Sequence, residues 1–475
     1  MQVARWKVVV AGILVVLLAG AGVATYRVYT FLNTVTAGVN PLNVIQTTLG
    51  KDTNPNDVLY KIQHRQQINI LLLGYSGSSN TKGGEAAPYL TDSLLVLSID
   101  TATNRAVLTS VPRDLYVKIH AWQNGRYVWE KINAAYEIGL LGGWGNKLPQ
   151  YSGKYGGGNL AMATVSRVTG LDIQYYAAVN WSAFVSVVND LGGVNICLST
   201  PLIDYKYPLP NGHYVPGGIH FPAGCQHVNG AQALELARSR HAVEPQQATD
   251  FARATRQRQL LLAIKSKAED LNFLTHIPEL MNQLQSDFGT NLTVADLKAL
   301  WDYGSTLRRS QIEQIALTNQ NFLMDQPCPS AGTYILCPVG LNFSQIQSFL
   351  ANMFPPPAVL QARIPVGIYN GSQVYYFDQI WAGQLAAVGL STKSLGSRSA
   401  EVPTTVLYNY GRWSSDAATA AYLVHMFGAK LIQEPYAPSK PALVLVLGTD
   451  AGARWQGQHQ TNYYANIQGT GVFGP

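Results

Sequence analysis

Charge is scarce in this sequence. Only 13% of its 475 residues are Asp, Glu, Lys or Arg, against roughly 25% in an average soluble chain. The 33 basic and 27 acidic residues leave a formal net charge of +6. Lys and Arg are too thinly spread to follow a phosphate backbone, which speaks against a general nucleic-acid binder. Cysteine is also scarce: Cys197, Cys225, Cys328 and Cys337 are the whole set, with no CxxC pair, so the spacing does not suggest zinc. The nine His residues show no ligand spacing such as HExxH, and no GxSxG occurs. Gly156-Gly157-Gly158 precedes a helical stretch, but no GK[ST] follows, which argues against a P-loop. Long apolar runs are missing but for one, so a polytopic membrane protein is excluded.

What is present is apolar and aromatic. Hydrophobic residues make up 47%, with 26 Tyr and 9 Trp, enough to offset the entropy of ordering and to exclude disorder throughout. The length suggests two or three folded units. The single apolar run is Val8 to Ala24, preceded by Arg5 and Lys7. It approaches the ~20 residues that span a bilayer, and the leading basic residues favour a cytoplasmic N-terminus. A signal anchor is the first reading, with everything after Tyr26 outside the membrane. A cleaved signal peptide is the other, because Gly22-Val23-Ala24 offers small residues at a cut site. Either way the bulk of the chain is exported. In that compartment the cysteines are expected as disulfides, Cys197–Cys225 and Cys328–Cys337 by proximity. Four buried thiols are the alternative.

Residues 27–66 read as a stalk. Ile68 to Leu73 and Ser93 to Ile99 are short continuous apolar runs, the mark of buried strands. Ala106 to Val111 is a third, hairpinned to the second through Asn104 and ended by Pro112. Helices are expected at Asn159 to Val168, at Trp181 to Asp190 with Gly192-Gly193 as its stop, at Gly230 to Arg240 and at Phe251 to Glu269. A Pro/Gly/Tyr-rich excursion fills Thr200 to Gly224, and a further strand falls near Ile315. This interleaving predicts an α/β or α+β core over 67–337. Pro355-Pro356-Pro357 marks 338–362 as a linker. A second, smaller α/β unit is predicted over 363–452, and a disordered tail over 453–475.

The basic residues collect in one place. Arg238 and Arg240 sit in ARSRH near a helix end, and Arg253, Arg256 and Arg258 in DFARATRQRQ at the start of the next. Arg253 and Arg256 share a helical face, with Gln257 at its border. Two such helices could clamp a multiply charged anion, for which the planar arginine fork is suited. The bland alternative is a pair of solvated faces paired to Glu235, Asp250 or Glu269. Arg113 and Asp114 follow a buried strand, where α/β folds place ligands, although taken alone the pair reads first as a turn salt bridge. Asp92 and Asp100 flank the second strand, roughly 26 Å apart if it is straight, too far to share an ion. Asp100 is read as a turn residue and Asp92 as the functional acid.

These stretches together resemble the LytR-CpsA-Psr family of cell-envelope proteins. INILLLG, TDSLLVLSID, VPRDLYV, KINAAYEIG, NDLGGVNI, GAQALELARSRH and DFARATRQRQ run in family-like order over residues 68 to 270. IYNGS, AGQLAAVGL and VLVLGTDA resemble the C-terminal domain of some members. The resemblance implies a mixed sheet packed between helices with a lipid groove. It implies a phosphotransferase that moves a glycopolymer from undecaprenyl pyrophosphate to peptidoglycan. It also implies a plasma-membrane protein, single-pass, with an extracytoplasmic bulk. By motif, Arg113, Arg238, Arg240 and Arg253 should contact the pyrophosphate, joined by Arg256 and Gln257. Asp92 should ligate Mg²⁺ or Mn²⁺, and Asp250 should orient an arginine or accept a proton.

Two positions depart from the family pattern. Ser76 stands where the family has a second metal-binding Asp, and Leu90 where it has an Arg. Glu85 in the same loop could substitute as a ligand. The departures leave two other readings open, a polyprenyl-pyrophosphate glycan-binding protein without turnover and a lipid pyrophosphatase.

Overall fold

The computed structural model describes residues 54–77, 88–141, 145–209, 213–270, 288–324, 334–411 and 413–456. Among these residues no helix is long and apolar enough to cross a membrane. The Val8 to Ala24 run and Cys328 lie outside them.

Six strands form the main sheet: β1 (Gln67–Tyr75), β2 (Thr91–Asp100), β3 (Arg105–Ser110), β4 (Tyr175–Asn180), β5 (Phe288–Thr290) and β6 (Ile312–Ala316), in the order β5-β4-β1-β2-β3-β6. β1 pairs antiparallel with β2 and parallel with β4, so the sheet is mixed. The expected β2–β3 hairpin forms, and Asp100 caps its turn by accepting from Ala102 N and the Thr103 hydroxyl.

β1 is apolar on both faces because both are covered. Leu71 and Leu73 pack against α1 (Ala134–Leu140) and α2 (Gly156–Thr169) in the largest core cluster. The triple glycine at the start of α2 serves close packing: a Cβ on Gly158 would fall 2.2 Å from the Tyr176 ring. The opposite face of the sheet is flanked by α3 (Trp181–Asp190), α4 (Gly230–Arg238) and α5 (Asp250–Asp270). α3 has the predicted limits, because Asn180 caps it by accepting from Ala183 N at 2.8 Å. α4 stops at Arg238, two residues before the expected end.

A disulfide joins Cys197 to Cys225 across two short antiparallel strands, and Cys337 is also disulfide-bonded. The Thr200 to Gly224 excursion carries a small hairpin, Leu202–Asp204 against Ile219–Phe221.

The 338–362 stretch differs from a linker. It carries helices Ser344–Ala351 and Pro357–Ala362, and Phe349 is fully buried. Pro357 starts a helix, where its missing N–H costs nothing. The C-terminal unit is a five-stranded mixed sheet with flanking helices. Two of its strands, Thr392–Ser397 and Lys430–Gln433, lack the apolar pattern that would have marked them. Residues 453–456, expected in a disordered tail, instead continue the helix Thr449–Gln456 and bury Trp455; the rest of that expected tail lies outside the described residues.

This unit shares a core with the first domain. Trp381 lies edge-on to Phe322 and Phe349 of the preceding residues, with ring centroids 6.2 and 6.1 Å away, and 5.7 Å from Trp455. Tyr422 donates to the Asn352 carbonyl at 2.8 Å, and Arg105 to the Val388 carbonyl at 3.2 Å.

Candidate functional site

The covered face of the sheet is not filled. A cavity of about 800 Å³ lies between it and the helices. Its floor follows the strand register: Leu95, Leu72 and Ala177 form one cross-strand row, and Ser93, Gly74 and Val179 the next. Gly74 keeps that floor low, since a Cβ there would sit 3.2 Å from the Ser93 Cβ. Trp181, Phe184 and Val187 of α3, with Leu234 and Ala237 of α4, supply apolar wall.

α5 supplies the rest from one face. Arg253, Gln257, Leu260, Leu261 and Ile264 all line the cavity, at the three- and four-residue spacing of a helix side. The face turns from cation to amide to hydrocarbon over eleven residue steps, about 16 Å. At the polar end stand Asp92, Arg113, Arg238, Arg240 and Arg253. The structure therefore brings together most residues expected from sequence. Gln257 is held there by donating to the Ala237 carbonyl at 3.0 Å.

Acids and bases at this end are interlocked. Arg113 Nη1 is 2.5 Å from Asp92 Oδ1, and its Nε is 3.3 Å from Asp114 Oδ2. Lys131 closes the chain on Asp114 Oδ1 at 2.6 Å. Arg238 is stacked on Trp181, its guanidinium carbon 3.4 Å from the ring centroid, and donates to the Tyr207 hydroxyl at 3.2 Å.

Arg256 does not join them. It is 2% exposed. Nε donates to the Leu236 carbonyl at 2.8 Å, Nη2 to the Ser239 carbonyl at 2.5 Å, and Nη1 to the carbonyl and side chain of Gln247. Burial, with Arg253 close by, pulls its pKa down to about 10. It is a structural tie for the turn after α4, which corrects the expectation of a substrate contact. Arg258 is likewise buried, donating to the Ser110 and Thr255 hydroxyls and the Gln314 side chain. Asp250 opens α5, one turn before Arg253; its side chain and Glu85 lie outside the described residues.

Sequence reading missed several residues here. Lys206, Tyr214 and His241 also line the cavity. The first two come from the Pro/Gly/Tyr-rich excursion, where no spacing marks them. Asp204 is fully buried and fixes the RSRH turn by accepting from the Ser239 hydroxyl and from Arg240 N and His241 N.

A resident Mg²⁺ finds few ligands. The Asp92 carboxylate is in its ion pair with Arg113, and the Ser76 hydroxyl donates to the Pro88 carbonyl at 3.0 Å. Leu90 adds hydrocarbon to the cavity where a cation was expected from the family pattern. Among the described residues no three His, Cys, Asp or Glu side chains cluster to hold a metal. Of the described residues, one engaged carboxylate and one hydroxyl are too few ligands for a dication, and Glu85 and the Asp250 side chain lie outside them.

Fold and site thus define an α/β protein with an apolar groove that is cationic at one end. Known proteins place it further. The sequence model of the LytR_cpsA_psr family matches residues 29–347, and the chain belongs to that family. It is 30% identical over 307 residues to the polyisoprenyl-teichoic acid–peptidoglycan teichoic acid transferase TagU of Bacillus anthracis (strain A0248), covering 64% of this chain and 86% of TagU. It is 28% identical over 301 residues to the protein of the same name from Oceanobacillus iheyensis, covering 62% and 80%. Among solved structures, TagT bound to LIIa-WTA is similar over 64% of this chain and 93% of its own, with 21% identity and a TM-score of 0.44.

Proposed function

We propose that the chain transfers a glycopolymer from a polyprenyl-pyrophosphate carrier, undecaprenyl in the family pattern, to peptidoglycan or another envelope acceptor. One observation carries this reading: the α5 face from Arg253 to Ile264 joins a cationic end to an apolar groove without interruption. A ligand that fills both is anionic at one end and hydrocarbon beyond. Each methylene buried in the groove contributes about 0.8 kcal/mol. The arginine forks match phosphate oxygens bidentately. The transferase names of the relatives support the same class of reaction.

In the proposed step an acceptor hydroxyl oxygen attacks the phosphorus that bears the glycan. A new P–O bond forms, and the bond from that phosphorus to the bridging oxygen breaks. Polyprenyl phosphate leaves with the electron pair, and the glycan phosphate stays on the acceptor. We assign the hydroxyl proton to Asp250. Arg113, Arg238, Arg240 and Arg253 would stabilise the charge that develops on the leaving phosphate. No step is routed through a metal. We place the chain in the plasma membrane, held by the 8–24 run with its bulk outside. The Cys197–Cys225 disulfide supports an oxidising compartment.

Ser76 and Leu90 favour one second reading, a protein that holds the lipid-linked glycan without turnover. The deciding experiment incubates the full chain in detergent with a short-chain polyprenyl-pyrophosphate glycan and peptidoglycan, beside Arg238→Ala. The transferase reading expects glycan on peptidoglycan, lost in the variant. Bound lipid with no product would leave the binding reading. Lipid monophosphate released without an acceptor would mean a pyrophosphatase.

A further inference from the structure

Trp181 stands where the two halves of the cavity meet. Its indole lines the groove together with Phe184 and Val187 of the same helix. The Arg238 guanidinium lies on its ring at 3.4 Å, and the Tyr207 ring is 5.3 Å from the same guanidinium carbon. The Tyr207 hydroxyl accepts from Arg238 Nη1 at 3.2 Å, and Tyr207 itself is buried. The base of the indole is also fixed, because Trp181 is the first residue of a helix whose cap is made by Asn180.

An arginine lining a cavity is a long, rotatable side chain, and ordering it on binding costs affinity. A stacked arginine has lost that freedom beforehand. The indole suits the border because its face attracts a cation while its perimeter packs with hydrocarbon. We infer that Trp181 is a positioning residue that holds Arg238 ready for the pyrophosphate, so that the indole governs recognition of the head group rather than of the lipid tail. This rests on the donor proposed above. It adds that discrimination between a polyprenyl pyrophosphate and the bare polyprenol resides partly in a residue that touches no phosphate.

The test uses the full chain in detergent with two probes, geranylgeranyl pyrophosphate and geranylgeraniol, and titrates binding by calorimetry. In Trp181→Leu, which keeps an apolar wall but has no ring face, pyrophosphate affinity should fall about three- to thirtyfold. Affinity for the alcohol should stay within about twofold, since the wall remains. Trp181→Phe should recover most of the loss. Tyr207→Phe should give a smaller loss confined to the pyrophosphate, and carries the test if Trp181→Leu does not fold. Equal losses for both probes, no loss for either, or a Phe variant as weak as Leu would overturn the inference. If the wild-type chain binds the pyrophosphate and Arg238→Ala binds it equally well, this inference fails while the donor reading stands. If the wild-type chain binds neither probe, the donor reading fails and this inference with it.

Discussion

The Asp204 carboxylate and the Ser239 hydroxyl meet at 2.8 Å, and neither residue is exposed to solvent. The same carboxylate accepts from Arg240 N at 3.3 Å, His241 N at 3.2 Å and Lys206 N at 2.9 Å. One buried acid therefore fixes the turn that carries Arg240 and follows Arg238.

Asp204→Ala should lower stability by about 2–4 kcal/mol, because several buried donors lose their acceptor. Transfer should fall more than stability at temperatures where the variant is folded, since Arg240 is no longer held. Urea melts and turnover measured below the melting range check both. A variant of unchanged midpoint would show that other groups hold the turn.

Arg256 and Arg240 should respond oppositely to replacement by Lys. An ammonium lacks the fork geometry needed to serve Leu236, Ser239 and Gln247 together, so Arg256→Lys should cost about 2–3 kcal/mol of stability. Arg240→Lys should leave the melting temperature almost unchanged and reduce turnover. Thermal melts beside the transfer assay separate the two roles; equal behaviour would contradict the division drawn here.

Glu137 predicts a pH dependence of stability. Its Oε2 is buried without a hydrogen-bond partner. Burial raises the carboxyl above its ordinary 4.5, and the Tyr89 backbone opposes only part of the rise. The folded state thus keeps a proton over a range where the unfolded chain has released it. The contribution is full below about pH 4.5 and is lost as pH rises through the folded-state value. Glu137→Gln should remove this component, so its stability relative to the wild type should improve as pH rises from 4 to 7. A constant difference across that range would refute the assignment.

The Cys197–Cys225 bridge closes a loop with a sequence separation of 28. Replacing both cysteines by serine should lower stability by about 3–4 kcal/mol on the loop-entropy account. Guanidinium denaturation of the double variant against the oxidised wild type measures it. A much smaller difference would point to structure retained in the unfolded excursion.

Sequence and structure agree where burial alone writes the pattern. β1 and β2 read plainly because each is covered on both faces, one by the largest core cluster and the other by the helices Val58–Gln63 and Val294–Gly304 beside the groove. The first and last residues of α3 were also legible, since Asn180 caps its start and Gly192 and Gly193 follow its end. The 338–362 stretch misleads because three prolines suggest extended chain, although the last of them occupies a helix start. Thr392–Ser397 is an edge strand with no buried residue, so no apolar alternation announces it. Within the site, three residues of helix leave Arg253 and Arg256 about 60° apart. That is close enough to share a face in projection and far enough for one to line the groove and the other to tie a turn. Asp204 carries no sequence signal, because its importance comes from chain segments 35 residues away in sequence.

The aromatic cluster around Trp381 has a mechanical meaning. Phe322 and Phe349 belong to the part of the chain that carries the groove, while Trp381, Phe427 and Trp455 belong to the C-terminal unit. A truncation near residue 363 would not remove an appendage. It would cut through a packed interior and leave those rings facing water, so the shortened chain should aggregate. For the intact protein the same packing means that the C-terminal unit cannot swing freely. Whatever surface it touches is held at a fixed distance and angle from the groove, as by the two arms of a locked caliper.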